Sequence, residues 1–306
     1  MINKKTITAN LAVLMTIIFW GVSASSNKIA LREVPPATLA LIRFTIASFI
    51  LGILNLCMNK EVKVSKKDQL PMVLGGIIGV TFYFIFENYG LTLISAANAT
   101  ILLAAIPIVT LLVESIYYKK GTSMQMWIGS ALSMAGVLLV LGNSFNVNGS
   151  YQVIIGCLLM IGAALCWVFY SMINKHFEGR YPTVYLTFFQ NAWGAACLIP
   201  FALLERGSWG HISPLSWINI LYLALICSAL GFFLYLYGLR HLSPSQANVY
   251  INLMPFVGVL SAYLILKESL YPLQIIGGII IICGIIVVNY QPKMSPVMPE
   301  IEQVKS

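Results

Sequence analysis

The sequence predicts an all-α integral membrane protein with ten transmembrane helices, arranged as two inverted five-helix repeats. Three observations lead there: ten long apolar stretches, a scarcity of charge, and a second half that echoes the first. Hydrophobic residues form 59% of the 306-residue chain, and only 9% are charged. The mean hydropathy is +0.86. A soluble fold carries charge on about a quarter of its residues. Roughly 20 helical residues, each rising about 1.5 Å, cross a hydrocarbon core of about 30 Å. Strands of a lipid-embedded barrel are shorter and alternate in polarity, and lipid offers no partner to a bare backbone. Continuous helices remain.

The first span, Ala9–Leu31, follows Lys4 and Lys5. Small residues at Ala24–Ser26 would suit a signal-peptide cleavage site, but the length of the run and the span that follows favour a retained helix. The others are Ala37–Met58, Leu70–Leu91, Ser95–Tyr118, Met124–Gly142, Tyr151–Lys175, Pro182–Leu204, Leu215–Gly238, Pro244–Leu266 and Tyr271–Tyr290. Pro107 and Pro255 interrupt the fourth and ninth, each removing a backbone donor, and are expected hinges. Gly75, Gly79, Gly277, Gly278 and Gly284 would permit close helix approach. The expected units are residues 1–143 and 150–291, with a disordered cytoplasmic tail at 292–306 that holds Pro292, Pro296 and Pro299.

Cytoplasmic loops collect Lys and Arg. With the amino terminus inside, thirteen of the 18 basic residues fall inside and four outside, while Arg43 lies within a span. Both termini are therefore expected in the cytoplasm, and the chain in the cytoplasmic membrane. The net charge of +8 follows from this bias and suits anionic lipid headgroups, with no reason to invoke nucleic acid. The six cysteines lie in apolar spans without metal-ligand or CxxC spacing, and read as buried hydrophobes. No metal or cofactor is implied, and nothing in the sequence sets an oligomeric state.

Sliding the chain along itself by 147 residues places Trp20 on Trp167, Asn27 on Asn174, Lys28 on Lys175 and Pro35 on Pro182. An offset of 148 places Tyr89-Gly90-Leu91 on Tyr237-Gly238-Leu239, Ser95 on Ser243, Pro107 on Pro255, Lys119 on Lys267, Gly129 on Gly277 and Gly136 on Gly284. Five spans per copy is odd, so the second copy enters from the opposite face. Inverted repeats of this kind are the architecture of secondary transporters, with a midplane site between the repeats that opens to each side in turn.

The segments FWGVSASSNKIAL…PPATLALIRF, LISAANATILLAAIPIVTLLV and LSPSQANVYINLMPFVGVLSAYLILKESL, in this ten-span frame, resemble the drug/metabolite transporter superfamily, in particular its EamA-type exporters. The likeness covers residues 9 to 290. It implies two inverted five-helix repeats around a central cavity, and export of amino acids or other small metabolites. Glu268 matches a familiar acidic position of the family. Lys120, at the corresponding place in the first half, departs from it, and neither is given a transport role.

Three ionisable residues inside spans need a reason, because insertion costs about 2.5–3.5 kcal/mol each at mid-membrane. Arg43 and Glu87 both lie toward the outer leaflet, which allows a structural Arg43–Glu87 ion pair. Alternatively Glu87 binds a substrate ammonium or a proton. A desolvated carboxyl suits proton exchange near neutral pH, and a neighbouring arginine opposes it. Glu114 is expected to snorkel or pair near Lys119 and Lys120.

Candidate substrate-binding residues form stripes at helical spacing. Trp20, Ser23 and Asn27 lie on the first span, and Trp167, Tyr170 and Asn174 on the sixth. Tyr83 and Glu87 share a face of the third, Asn98 opens the fourth, Tyr235 is late in the eighth, and Asn248 and Asn252 share a face of the ninth. Gln190 and Asn191 sit within the seventh. Amides in lipid need a helix or a wet cavity as partner. Aromatic faces beside amides suit a solute of amino-acid size, while helix–helix adhesion explains each residue singly.

A membrane enzyme is disfavoured, since His176, His211 and His241 show no metal spacing and no phosphate loop is present. A receptor or scaffold would more naturally carry an extramembrane domain. The expected function is non-ATP export of amino acids or related metabolites, with the bilayer, a small solute and, through Glu87, protons as partners. The alternatives are another solute class (drug-like cation, nucleobase or nucleotide sugar) or a channel, which a saturable flux assay distinguishes.

Overall fold

A computed structural model describes residues 4–58, 62–94, 96–119, 122–141, 151–261, 263 and 271–290. The expected tail, Lys120 and Glu268 lie outside the described residues. Among the described residues the chain is helical throughout, and nine helices are long and apolar enough to cross a membrane. They are α1 (Lys4–Ala30), α2 (Pro36–Cys57), α3 (Lys66–Leu93), α4 (Ala96–Leu103 and Ile106–Tyr118), α5 (Met124–Leu141), α6 (Tyr151–His176), α7 (Thr183–Leu204), α8 (Pro214–Leu239) and α10 (Pro272–Asn289). The expected ninth span is segmented. Here α9 runs as Pro244–Asn248, a tight 3₁₀ stretch at Val249–Leu253, and Met254–Ser261.

Proline and capping chemistry explain several starts. Pro36, Pro214, Pro244 and Pro272 stand in the first helical turn, where a missing N–H costs nothing. Ser243 and Gln246 close a capping box at the start of α9. The helices carry irregularities at matching places. Wide π-helical turns occupy Ile77–Phe82 in α3 and Leu223–Gly231 in α8. The breaks in α4 and α9 come directly before the segments that contain Pro107 and Pro255.

Packing follows one scheme. The main neighbours are α2 with α7, α5 with α10, α1 with α8, α3 with α6, α3 with α7, α2 with α8, α1 with α9, and α4 with α6. Exchanging each helix for the one five places along reproduces this set of neighbours. The crossing of α5 and α10 is made by glycine. A Cβ on Gly129 would lie 2.8 Å from the Gly284 carbonyl, and one on Gly136 would lie 2.6 Å from the Gly277 carbonyl. Lipid tails offer no hydrophobic drive between helices, so such close backbone approach is a main source of adhesion.

The outer surface is apolar, with Ile116 at 76% and Leu204 at 85% exposure. That face suits hydrocarbon and would be an aggregation liability in water. Cys57 and Cys283 lie on it, contrary to the expectation that all six cysteines are buried.

Polar ties gather at the two ends of the bundle. At one, which we call the Glu205 end, Glu205 accepts from Ala37 N (3.0 Å), Thr38 N (2.7 Å), Thr38 Oγ1 (2.7 Å) and Tyr89 OH (2.6 Å). Nearby, Ser213 N donates to Glu33 at 2.8 Å. At the opposite, Asp68 end, Arg180 Nη1 donates to both oxygens of Asp68 (2.9 and 3.0 Å), and Tyr181 OH donates to Oδ2 at 2.7 Å. Among the described residues Glu114 forms no ion pair with Lys119 (Lys120 lies outside them). It accepts from Ser245 N at 3.2 Å and from Ser245 Oγ, and so caps α9.

Candidate functional site

The centre of the bundle is an aromatic cluster. Trp20 and Trp167 meet edge to face with ring centroids 5.1 Å apart, Phe232 lies 5.6 Å from Trp20, and Tyr83 lies 5.2 Å from Trp167. Two of the hydrogen bonds that fix these rings are cross-helix. Trp20 Nε1 donates to the Cys227 carbonyl (3.0 Å), inside the wide turn of α8, and Trp167 Nε1 donates to Asn248 Oδ1 (3.1 Å).

Beside the cluster, toward the Glu205 end, lies a cavity of about 40 Å³. It is lined by Trp20, Ser23, Asn27, Arg43, Tyr83, Phe84, Glu87, Leu103, Ile106, Trp167, Phe232, Ile251 and Met254. That space holds about three waters, far less than an amino acid. Two buried oxygens here, Asn27 Oδ1 and Glu87 Oε2, have no hydrogen-bond partner among the described residues. The other Glu87 oxygen accepts from Tyr83 OH at 3.3 Å.

The Arg43–Glu87 ion pair expected from the sequence is not formed, although both side chains line the cavity. Arg43 is turned across to α8, where Nε donates to Ser228 Oγ at 2.5 Å. Its guanidinium lies 4.4 Å from the Phe84 ring centroid and 5.3 Å from that of Phe44. Cation–π contact and a hydroxyl acceptor take the place of the carboxylate.

Toward the Asp68 end the cavity is floored by a neutral network. Asn248 Oδ1 accepts from Tyr235 OH (2.5 Å) as well as from Trp167, and Asn248 Nδ2 donates to Thr110 Oγ1 (2.9 Å). Ser171 Oγ and Tyr235 OH are hydrogen-bonded at 2.7 Å. Asn252 Nδ2 donates to Ser133 Oγ at 2.7 Å.

Of the residues proposed from sequence, Trp20, Ser23, Asn27, Tyr83, Glu87 and Trp167 therefore reach the cavity. Tyr235 and Asn248 form its floor, while Tyr170, Asn98 and Asn252 are buried away from it. Gln190 and Asn191 also serve helix contacts, donating to Asn174 Oδ1 and the Ser228 carbonyl. The lining includes α2 through Arg43, besides the expected first, third, fourth, sixth, eighth and ninth helices. Phe84 and Phe232 were not singled out from sequence. They stand 148 residues apart, and their centroids lie 6.2 Å apart in the structure. The repeat offset was the signal that could have found them.

The described residues contain no group of three or more side chains able to hold a metal ion. The family model described as "EamA-like transporter family" matches residues 7–142 and again 154–290. An "Uncharacterized transporter" of Archaeoglobus fulgidus is 29% identical over 288 residues, covering 92% of this chain and 96% of the relative. A protein of Streptantibioticus cattleyicolor named "Probable terminal-alkyne amino-acid exporter" is 25% identical over 281 residues, covering 91% and 92%. A crystal structure superposes with a TM-score of 0.77 at 20% identity, over 92% of this chain and 96% of that one, which is a likeness of fold. With both halves matched by one model and the apolar surface of a multi-pass bundle, this chain is a membrane transporter of the EamA-like family, not an enzyme.

Proposed function

We propose that this protein exports amino acids or closely related zwitterions across the cell membrane by alternating access, without ATP. The carrying observation is the pair of unpartnered buried acceptors, Asn27 Oδ1 and Glu87 Oε2, facing the cavity that Arg43 also lines. An unsatisfied buried oxygen costs about 1–3 kcal/mol, which a donor-rich ligand relieves. A solute ammonium would donate to Glu87 and Asn27, its carboxylate would meet Arg43, and its side chain would lie on Trp20, Trp167 and Phe232. The printed name of the Streptantibioticus relative points to the same solute class.

The small cavity and the ties at both ends suit a nearly closed intermediate of such a cycle. Two inverted five-helix repeats, residues 1–143 and 150–291, are supported by the reciprocal neighbours of each helix and by the crossed glycine contacts 129–284 and 136–277. Loop charge supports placing the Asp68 end and both termini in the cytoplasm. Glu87 is the candidate proton site, and Pro107 and Pro255 the candidate hinges.

The test is counterflow in proteoliposomes loaded with single amino acids. Saturable exchange that Glu87→Gln weakens at least tenfold is the expected result. Exchange of cations lacking a carboxylate, indifferent to Arg43→Met, would reassign the solute class. Unsaturable leak would make the protein a channel.

A further inference from the structure

At the Glu205 end, the first turn of α2 and the hydroxyl of Tyr89 hold a carboxylate through the four hydrogen bonds described above. The offsets of 147 and 148 residues carry these parts to the other end of the molecule. Ala37 falls on Val184, Tyr89 on Tyr237, and Glu205 on Met58. The second copy thus keeps the helix start and the tyrosine but has a thioether where the first has an anion. Met58, Val184 and Tyr237 indeed surround one pocket of about 400 Å³, together with Thr183, Arg180 and Arg240.

The pocket is cationic. Arg180 is neutralised by Asp68, but Arg240 is in no ion pair among the described residues. Its Nη1 donates to Thr183 Oγ1 at 3.2 Å, and its Nε is buried without a hydrogen-bond partner among them. Residue 240 falls on Thr92 under the same offset, so this charge is peculiar to the second copy. Pro182, the residue before α7, offers no side-chain cap to its first turn.

We propose that this pocket binds the phosphate of an acidic membrane lipid, which takes the place that Glu205 fills at the opposite end. Free N–H groups of a helix start, a tyrosine hydroxyl and a guanidinium form a donor set for a phosphate. The first two already hold an anion in the other half of this same chain. A lipid is favoured over a soluble ion by the pocket's rim. Met58 is 47% exposed and continues into Leu54, 49% exposed, one turn back on the same side of α2. Basic pockets at the cytoplasmic edge of helix bundles suit such headgroups.

The test does not depend on what is transported. The full chain, purified in neutral detergent, is titrated with phosphatidylglycerol, phosphatidylcholine or inorganic phosphate, and its thermal midpoint is followed. Phosphatidylglycerol should raise the midpoint by several degrees, and the other two should not. Met58→Glu, which supplies the carboxylate in cis, should abolish that increment, as should Arg240→Gln, whereas Arg240→Lys should keep part of it. Equal shifts with both lipids, or an increment that survives Arg240→Gln and Met58→Glu, would overturn the proposal. An equal shift with inorganic phosphate would overturn the lipid as occupant. If Met58→Glu does not fold, the two arginine variants decide.

Discussion

Trp20 and Trp167, 147 residues apart in sequence, meet edge to face at the centre of the bundle, 5.1 Å between ring centroids. In the proposed inverted-repeat arrangement, equivalent residues of the two halves touch only near the axis that relates them. The pair supports a site on that axis, and Phe84 with Phe232, 148 residues apart, meet in the same way at 6.2 Å.

The floor beneath these rings depends on one amide. Asn248 serves Trp167, Tyr235 and Thr110 at once. Asn248→Leu leaves those groups without their shared partner and should cost about 1–3 kcal/mol, seen as a lower thermal midpoint. Trp167→Phe removes one donor and leaves Asn248 Oδ1 its bond from Tyr235, so it should cost less.

Glu87 should govern the pH response of transport. If it carries the exchanging proton, Glu87→Gln flattens the dependence of counterflow on pH between about 5 and 8. Asn27→Leu should raise the half-saturating solute concentration and leave the pH profile in place. A Glu87→Gln profile parallel to that of the parent chain would assign Glu87 to binding alone.

The crossing of α5 and α10 should tolerate no side chain. A Cβ at Gly136 meets backbone on the facing helix, which cannot swing aside as a flexible side chain would. Gly136→Leu is expected to cost about 1–3 kcal/mol or more and to reduce the folded fraction by size exclusion. Gly258→Ala is the control, since its Cβ would sit 3.6 Å from the Gly21 carbonyl, an ordinary contact.

The Glu205 end should loosen in acid. The Ser213 N–H, followed by the Ser216 and Ser213 hydroxyls, holds the Glu33 carboxyl below its ordinary value. A depressed carboxyl stabilises the fold at pH values above its unfolded value and loses that contribution as pH falls through the folded one. The thermal midpoint of the purified chain should therefore fall as pH drops below about 4. Glu33→Gln should lower the midpoint at neutral pH and make that fall smaller.

Nine of the ten expected spans were legible among the described residues, because lipid imposes length and polarity on every crossing segment. Side-chain partners were less legible. Arg43 and Glu87 have opposite charge and similar depth, yet Arg43 reaches Ser228 and the Phe84 ring. Nothing in local spacing encodes that choice, because the acceptor comes from a helix 185 residues away. Glu114 likewise looked like a partner for adjacent lysines and instead caps a helix start 131 residues on. The segmentation of α9 was signalled only by Pro255, since its 3₁₀ stretch carries no marker in hydropathy.

The glycine seam between α5 and α10 has a kinetic consequence. Backbones in direct apposition have no rotamers to exchange, so sliding along the seam meets a steep barrier, whereas a small tilt about it does not. Those two rods would then serve as a stationary pivot, and a bulky wedge lodged beside them should arrest turnover without touching the solute.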